Sequence, residues 1–255
     1  MDTDRHRGRV ALVTGAASGI GRATVLRLAA EGATVVGLDV NKEALADVQA
    51  AASDARAAVS LTTGDITSQP DVDRIVGATL EEHGRIDLLA NVAGIMDWFL
   101  PAHEVDDQTW DRVMAVNATG PLKLCRAVLP SMRERGGGSI VNVGSAASVR
   151  GGTAGVAYTA SKHALLGITR SIAWMYAPDN VRCNIVLPGG VETNIGTTAI
   201  PRGEFGIGRL TPIHGTAVRM AQPDEIATLV SWLGSDEASN VNGAVVNGDG
   251  GWGAG

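Results

Sequence analysis

The stretch Val10-Ala-Leu-Val-Thr-Gly-Ala-Ala-Ser-Gly-Ile-Gly21 decides how the rest of the chain is read. Four apolar residues, Val10 to Val13, make a short run suited to a strand buried on both faces, and Thr14-Gly15 breaks it. Glycines stand at positions 15, 19 and 21, and Arg22 to Glu31 carries Ala23, Leu26, Leu28 and Ala29 on roughly helical spacing. Strand, glycine turn and helix follow one another. Glycine is needed where backbone comes close to a ligand or a neighbouring strand, and a helix opening there offers unpaired N–H groups and a partial positive charge. Such a turn can seat a pyrophosphate, although by itself it also reads as a plain tight connection.

Outward from this stretch, strands and helices alternate. Ala33 to Val40 reads as a strand ending at Asp39, and Asn41 caps a helix through about Ala52. Ala57 to Thr63 is a third strand, Pro70 to His83 a helix, and Arg85 to Ala90 a fourth strand leading into Asn91-Val92-Ala93-Gly94. Asp107 to about Arg135 is a long helix in which Asn117 and Gly120-Pro121 predict a kink or break, because proline lacks an N–H and crowds the preceding turn. Ser139 to Gly144, Asn180 to Leu187 and a segment within Asn242 to Gly251 supply the remaining strands, with helices from Tyr158 to about Tyr176 and from Pro223 to Leu233. This order predicts one α/β domain over residues 1–255: a doubly wound, Rossmann-like sheet of about seven mostly parallel strands with helices on both faces. Between Asn194 and Met220 no clean periodicity survives, and the segment is read as a lid over substrate.

Composition bounds the function. A net charge of −6 argues against nucleic acid or an anionic membrane as partner. No apolar run approaches the ~20 residues of a membrane span, and Met1 to Arg9 lacks the apolar core of a secretory signal, so a cytoplasmic protein is expected. Cys125 and Cys183 lie in apolar-periodic segments and read as reduced core thiols. The five histidines are scattered and form no metal-ligand cluster; His163 is expected to face a neighbouring element rather than to act as a base.

Two features carry chemistry. Asp39 lies 24 positions after Gly15, close to the ~20-residue offset at which an acidic residue binds adenosine ribose hydroxyls, though it could also simply assist the next helix cap. A 2′-phosphate there would meet like charge worth about 4 kcal/mol at ~4 Å and effective dielectric ~20. Ser18, Val40 and Asn41 offer no cation to offset it, so NAD is expected over NADP. Tyr158 and Lys162 stand at i and i+4 of a helix and reach one volume, with Ser145 thirteen residues upstream at a strand end. Hydride transfer to a ketone leaves an alkoxide that must be protonated as it forms, and Tyr158 is the candidate donor. A phenol titrates near pH ~10; a neighbouring ammonium at Lys162 is expected to favour the phenolate.

Taken together, Thr14-Gly15-x-x-x-Gly19-x-Gly21, Asn91 to Gly94, Asn117, Ser145 and Tyr158-x-x-x-Lys162 resemble the short-chain dehydrogenase/reductase family in its classical form, from Val10 to Gly251. The resemblance implies an NAD(H)-dependent oxidoreductase interconverting a secondary alcohol and a ketone. It implies that Ser145 hydrogen-bonds the substrate oxygen, that Lys162 binds the nicotinamide ribose, and that Asn117 holds a water linking Lys162 to solvent. Cofactor contacts are implied at Gly15, Ser18, Gly19, Ile20 and Gly21, at Asp39, and at Asp65 and Ile66 near the adenine. They are implied also at Asn91, Ala93 and Gly94, at Tyr158 and Lys162, and at Pro188, Gly189, Val191 and Thr193 by the carboxamide. Val92 departs from the usual asparagine, and Gly248 replaces a more usual β-branched residue, which is expected to loosen the last strand. Ala146, Ala147, Val149, Thr153, Met96 and Trp98 are candidate pocket residues, mostly apolar, for a small hydrophobic ring or chain. A homo-oligomer, tetramer or dimer, is implied through the Asp107 and Tyr158 helices. The alternatives are a 3-oxoacyl carrier-protein reductase, disfavoured by Asp39 and the acidic charge, and a non-catalytic NAD-binding sensor, disfavoured by the intact Ser145, Tyr158 and Lys162.

Overall fold

The computed structural model describes residues 4–54, 58–193, 195 and 203–254. Its strands are β1 (Val10–Thr14), β2 (Thr34–Asp39), β3 (Val59–Thr63), β4 (Leu88–Asn91), β5 (Gly138–Val143), β6 (Val181–Pro188) and β7 (Val245–Gly248). Its helices are α1 (Gly19–Ala30), α2 (Lys42–Asp54), α3 (Gln69–His83), α4 (Asp107–Met114), α5 (Gly120–Glu134), α6 (Val156–Met175), α7 (Glu204–His214) and α8 (Pro223–Gly234). The sheet order is β3-β2-β1-β4-β5-β6-β7, and every neighbouring pair is parallel. Chain order therefore reverses between β1 and β4, which opens a crevice beyond the carboxyl ends of those two strands.

Both faces of the sheet are covered, which is why the strands read as unbroken apolar runs. Ala11, Val13, Leu88 and Ala90 face a core built with Val25 and Leu28 of α1 and Ile226, Val230 and Leu233 of α8. Leu12, Leu89 and Ile140 face the opposite core, against Val72, Ile75 and Val76 of α3 and Leu124, Val128 and Met132 of α5. Alternation along each strand assigns each residue to its face.

Three details differ from the sequence reading. Of the kink or break expected near Asn117, the helix shows no break: a wide, π-helical turn at Ala115–Thr119 joins α4 to α5 without ending the helix. The extra residue in that turn accommodates Pro121 at the start of α5, where a missing N–H is tolerated. The last strand is not loosened by Gly248, which pairs with Pro188; a Cβ there would already meet Ile226 Cδ1 at 3.0 Å and Leu229 Cδ1 at 3.1 Å. The segment read as a lid contains a helix, α7, hidden from the sequence by the poor helix formers Gly206, Gly208 and Pro212. Gly206 is required by packing, because a Cβ there would overlap the Phe99 carbonyl oxygen. Residues 194 and 196–202 of the lid lie outside the described residues.

Leu89 is fully buried at the centre of the sheet. Leu89→Ala is expected to lower the unfolding free energy by about 2–5 kcal/mol, measured by urea denaturation at constant m-value.

Candidate active site

The crevice holds a cavity of about 390 Å³. Gly15, Ser18, Gly19, Ile20, Gly21, Asp39, Asp65, Ile66, Ala93, Gly94 and Thr193 all line it, together with Leu38, Val40, Val92, Arg112 and Val116. Gly15 and Gly19 have positive φ, +68° and +49°. A Cβ on Gly21 would overlap the Gly15 carbonyl oxygen, so the turn closes on itself only with glycine at that position. Ser18 stands at the N-cap of α1 without a side-chain cap, and the first turn of α1 carries no acidic residue. Its N-terminal N–H groups therefore face the cavity unpaired by side chains.

Thr14, which sequence reasoning took only as the strand's end, ties the two walls together. Its buried hydroxyl accepts from the Val92 N–H at 2.9 Å and the Ala93 N–H at 3.0 Å. Val92 packs against the core on its apolar side, which is what this sequence has in place of asparagine. The Asp39 carboxylate lines the cavity and accepts from Asn41 N–H at 2.9 Å beside the start of α2, the cap-assisting role weighed for it, and from Ala17 N–H of the glycine turn at 3.1 Å. Asp65 Oδ1 accepts from the backbone and hydroxyl of Thr67, both at 2.8 Å, which fixes the adjoining loop.

Six residues named from the resemblance as cofactor contacts lie off this cavity's wall. Asn91 points into the core, donating to Asn142 Oδ1 at 2.9 Å, and Asn142 donates on to Thr169 Oγ1 at 2.8 Å. Cys125 and Cys183 are free buried thiols beside these amides. Pro188 closes β6 opposite Gly248, Gly189 follows it, and Val191 bridges to Ala221. Of that turn Thr193 reaches the cavity, its methyl lying where a Gly19 Cβ would approach to 2.9 Å. Tyr158 and Lys162 sit deeper, beyond β5.

Ser145 follows β5 and caps a short 3-10 turn, its hydroxyl accepting from Ala147 N–H at 3.1 Å. Tyr158 and Lys162 lie on α6, with the Lys162 ammonium 5.5 Å from the Tyr158 ring centroid and donating to the Val143 carbonyl at 2.9 Å. Burial pushes the Tyr158 phenol up to about 12, opposed by hydrogen bonding from Ser145 and reinforced by the charge of Asp97. Burial pulls Lys162 down to about 8. Desolvation by burial is the leading cause of both shifts. Asn117 Oδ1 accepts from Ile95 N–H at 2.9 Å, and its Nδ2 donates to the Ile95 carbonyl at 2.9 Å and to Ser161 Oγ at 3.1 Å. Its amide clamps the β4 exit loop to α6. A Cβ on Gly94 would lie 3.3 Å from Asn117 Oδ1 and 3.4 Å from Lys162 Nζ, so glycine fits between them.

Among the candidate pocket residues, Ala146, Ala147 and Thr153 are buried, and Ala147 packs behind Tyr158 with Val113 and Ala154. Val149 is exposed, and Met96 and Trp98 line a small groove against α4 with Gln108, Thr109 and Arg112. His163 faces solvent, not a neighbouring element, and its Nδ1 meets the Thr159 carbonyl one turn back.

Known proteins resemble this one along its length. A family model described as short chain dehydrogenase matches residues 9–202. The chain is 38% identical to 3beta-hydroxysteroid dehydrogenase 2 of Eggerthella lenta, covering 100% of both proteins. It superposes on the crystal structure of levodione reductase with a TM-score of 0.90 at 36% identity, covering 98% of this chain and 99% of the other. A candidate NAD(P)-dependent gluconate 5-dehydrogenase from Beutenbergia cavernae, with NADP bound at low occupancy, matches with a TM-score of 0.88 at 33% identity, covering 99% of this chain and all of the other.

The two buried groups have opposite effects on stability. Lys162 titrates near 10.5 when unfolded and about 8 when folded, so between those values the unfolded chain binds the extra proton and stability rises with pH. Above pH ~10 Tyr158 reverses the trend, since the folded state keeps a proton that the unfolded state releases. Wild type is expected to gain up to about 3 kcal/mol between pH ~8 and ~10, a gain absent in Lys162→Met, as measured by denaturant unfolding across that range.

Proposed function

The chain belongs to the short-chain dehydrogenase/reductase family and is an oxidoreductase acting on CH–OH groups, and from that premise we propose that it interconverts a secondary alcohol and a ketone with NAD(H) through Ser145, Tyr158, Lys162 and Asn117. What supports this reading is the convergence of a buried phenol, a buried amine and a serine hydroxyl on one corner beyond β5, beside the cavity walled by the glycine turn.

The residues present fit a dinucleotide. Gly15, Gly19 and Gly21 let backbone close around a pyrophosphate at the N-terminus of α1, and the remaining lone pairs of Asp39 would accept from ribose hydroxyls. When bound, the nicotinamide supplies or accepts the hydride. Tyr158 holds its proton at neutral pH and would donate it to the oxygen of a ketone being reduced, with Ser145 donating to the same oxygen. In the oxidative direction Tyr158 must first lose that proton. Lys162, pinned to the Val143 carbonyl, would hold a ribose hydroxyl and supply charge under the phenol. Asn117 keeps the β4 exit loop and α6 in register.

For substrate we propose a largely apolar ring. Val149, Ile213 and Met220 expose apolar surface on segments that follow the carboxyl ends of the strands, and Trp98 of the β4 exit loop lines the groove against α4. The similar Eggerthella lenta enzyme is named for hydroxysteroids, which makes these the first substrates to assay against acyl thioesters. The chain acts as a single domain in this reading, with the 194–220 segment as its lid. Exposed Trp110, Leu122, Trp174 and Met175 on α4, α5 and α6 support a homo-oligomer, dimer or tetramer, joined through those helices.

NADH is expected to bind more tightly than NADPH in paired fluorescence titrations, with the gap narrowing in Asp39→Ala. NADPH-favoured binding by wild type would overturn the role given to Asp39, and Arg112 on the same cavity wall would be the cation responsible. Tyr158→Phe is expected to lower kcat about 10²–10⁴-fold in both directions. In wild type, kcat/KM for alcohol oxidation should climb with pH from 7 to 10 while that for ketone reduction does not, as seen in steady-state assays at constant ionic strength.

A further inference from the structure

One buried carboxylate next to this site has no part in the mechanism above. Asp97 lies in the β4–α4 loop, fully excluded from solvent. Its Oδ2 accepts the backbone N–H of Tyr158 at 2.9 Å, across 61 residues of sequence, and its Oδ1 accepts that of Phe99 at 3.2 Å. Tyr158 is the third residue of α6, so Asp97 occupies the place of that helix's N-terminal cap. The residue at the cap position itself is Gly155, which has no side chain to offer, and a Cβ there would overlap the Asp97 carboxylate. No acidic residue stands in the first turn of α6 to answer its dipole. The helix is built to be capped from outside.

The same loop is strapped along that first turn. Val156 N–H donates to the Leu100 carbonyl at 3.0 Å, and Leu100 N–H donates back to the Asp97 carbonyl at 3.2 Å. Between them Trp98 and Phe99 adopt left-handed backbone, φ +54° and +63°. Two consecutive bulky residues in that region are strained and persist only where surrounding contacts hold them. Here the carboxylate they wrap around supplies one of those contacts. Phe99 in turn meets His214 of α7, ring centroids 5.5 Å apart.

We propose that Asp97 is a positioning residue for the proton donor: as the remote N-terminal cap of α6 it holds the Tyr158 backbone and the Trp98–Phe99 turn of the β4–α4 loop in one fixed relation. This rests on Tyr158 being the proton donor. The groups facing the phenol are Lys162 from α6, Ser145 from the turn after β5 and Asp97 from the β4–α4 loop; Val113 of α4, Ala147 and Ala154 complete its surroundings and do not titrate. Burial pushes the Asp97 carboxyl above the usual carboxylate range, but backbone N–H groups of Tyr158, Phe99, Asp97 itself and Gly155 pull it back, as suits an acceptor. As an anion it raises the proton affinity of the phenol.

Asp97→Asn keeps the shape and removes the charge; Asp97→Ala removes the cap as well. Both are expected to bind NADH within about twofold of wild type, while kcat for alcohol oxidation in Asp97→Ala falls about 10- to 100-fold from displacement of the phenol. In Asp97→Asn the alkaline limb of the oxidation profile should move to lower pH. Tyr158 and Tyr176 are the two tyrosines of the chain, so in a Tyr176→Phe background tyrosinate absorbance after a rapid pH jump reads Tyr158 alone. Asp97→Asn should shift that titration to lower pH too, which a purely structural cap would not do. Wild-type kcat in Asp97→Ala, or an unshifted tyrosinate titration in Asp97→Asn, overturns the inference. A shifted titration alongside a fully active Tyr158→Phe would instead sink the proton-donor reading and leave the Asp97–Tyr158 coupling standing. Should Asp97→Ala fail to fold, Asp97→Ala/Gly155→Ser restores a local cap; full recovery of kcat in it would reduce Asp97 to helix stability and overturn the positioning role.

Discussion

The crevice depends on one close approach, that of Gly21 to the Gly15 carbonyl, where no Cβ fits. It brings the first turn of α1 down onto the end of β1 and leaves the helix's N–H groups facing open space. Thr14, one residue earlier, then pulls in the β4 exit loop through two backbone N–H groups. That loop leads to Gly94, Ile95 and Asp97, and through the Asn117 clamp and the Asp97 cap it sets where α6 begins. A contact between two glycines near the N-terminus thus governs the position of a phenol on the far side of the sheet's switch point.

How much of this was legible follows from how local each signal is. The glycine turn, Asp39 and the Tyr158–Lys162 pair are written at short spacings that a strand end or a helical repeat fixes by itself; the first two line the crevice, and the pair lies off its wall, with Lys162 Nζ close behind Gly94. Parallel pairing followed from the alternation of strands and helices, since parallel neighbours need crossovers. What the sequence hid was long-range. Asp97 reads as an ordinary loop residue until the chain folds and brings Tyr158 N–H to it. Thr14 reads as a strand end until β4 lies alongside. The helix at Glu204–His214 carries two internal glycines and a proline that propensity rejects, and it forms because Gly206 can seat against the Phe99 carbonyl. The irregularity expected at Asn117 takes the form of a π-helical turn, in which Ile95 and Ser161 supply partners for its amide.

Burial of the Lys162 amine works against stability at neutral pH. Moving Tyr158 and Lys162 out of water pushes their proton affinities apart, up to about 12 and down to about 8; the Lys162 shift costs the folded state stability below pH ~10, the Tyr158 shift only above it. Residues selected for stability alone would not include an uncompensated buried lysine. Its one hydrogen bond, to the Val143 carbonyl, orients it without neutralising it, so its charge remains available to a group that arrives later. The protein therefore holds a local strain that a bound, partly anionic ligand would relieve.

The N-termini of α1, which lines this crevice, and of α6, which lies off its wall, are treated in opposite ways. At α1 the N-cap serine makes no side-chain cap, the first turn lacks an acid, and the approach is lined with glycine, so the positive end of the dipole stays free for an anion from outside. At α6 the cap glycine has made room for the Asp97 carboxylate, which fills that end from within. Had α6 been left open, a negatively charged ligand group could have docked within a turn of Tyr158, and an alkoxide forming there would have been held by the dipole instead of receiving the phenol's proton. With Asp97 in place the positive end of α6 is already answered, and in the proposed reaction the stabilisation of a developing negative charge near α6 would fall to Ser145 and Tyr158.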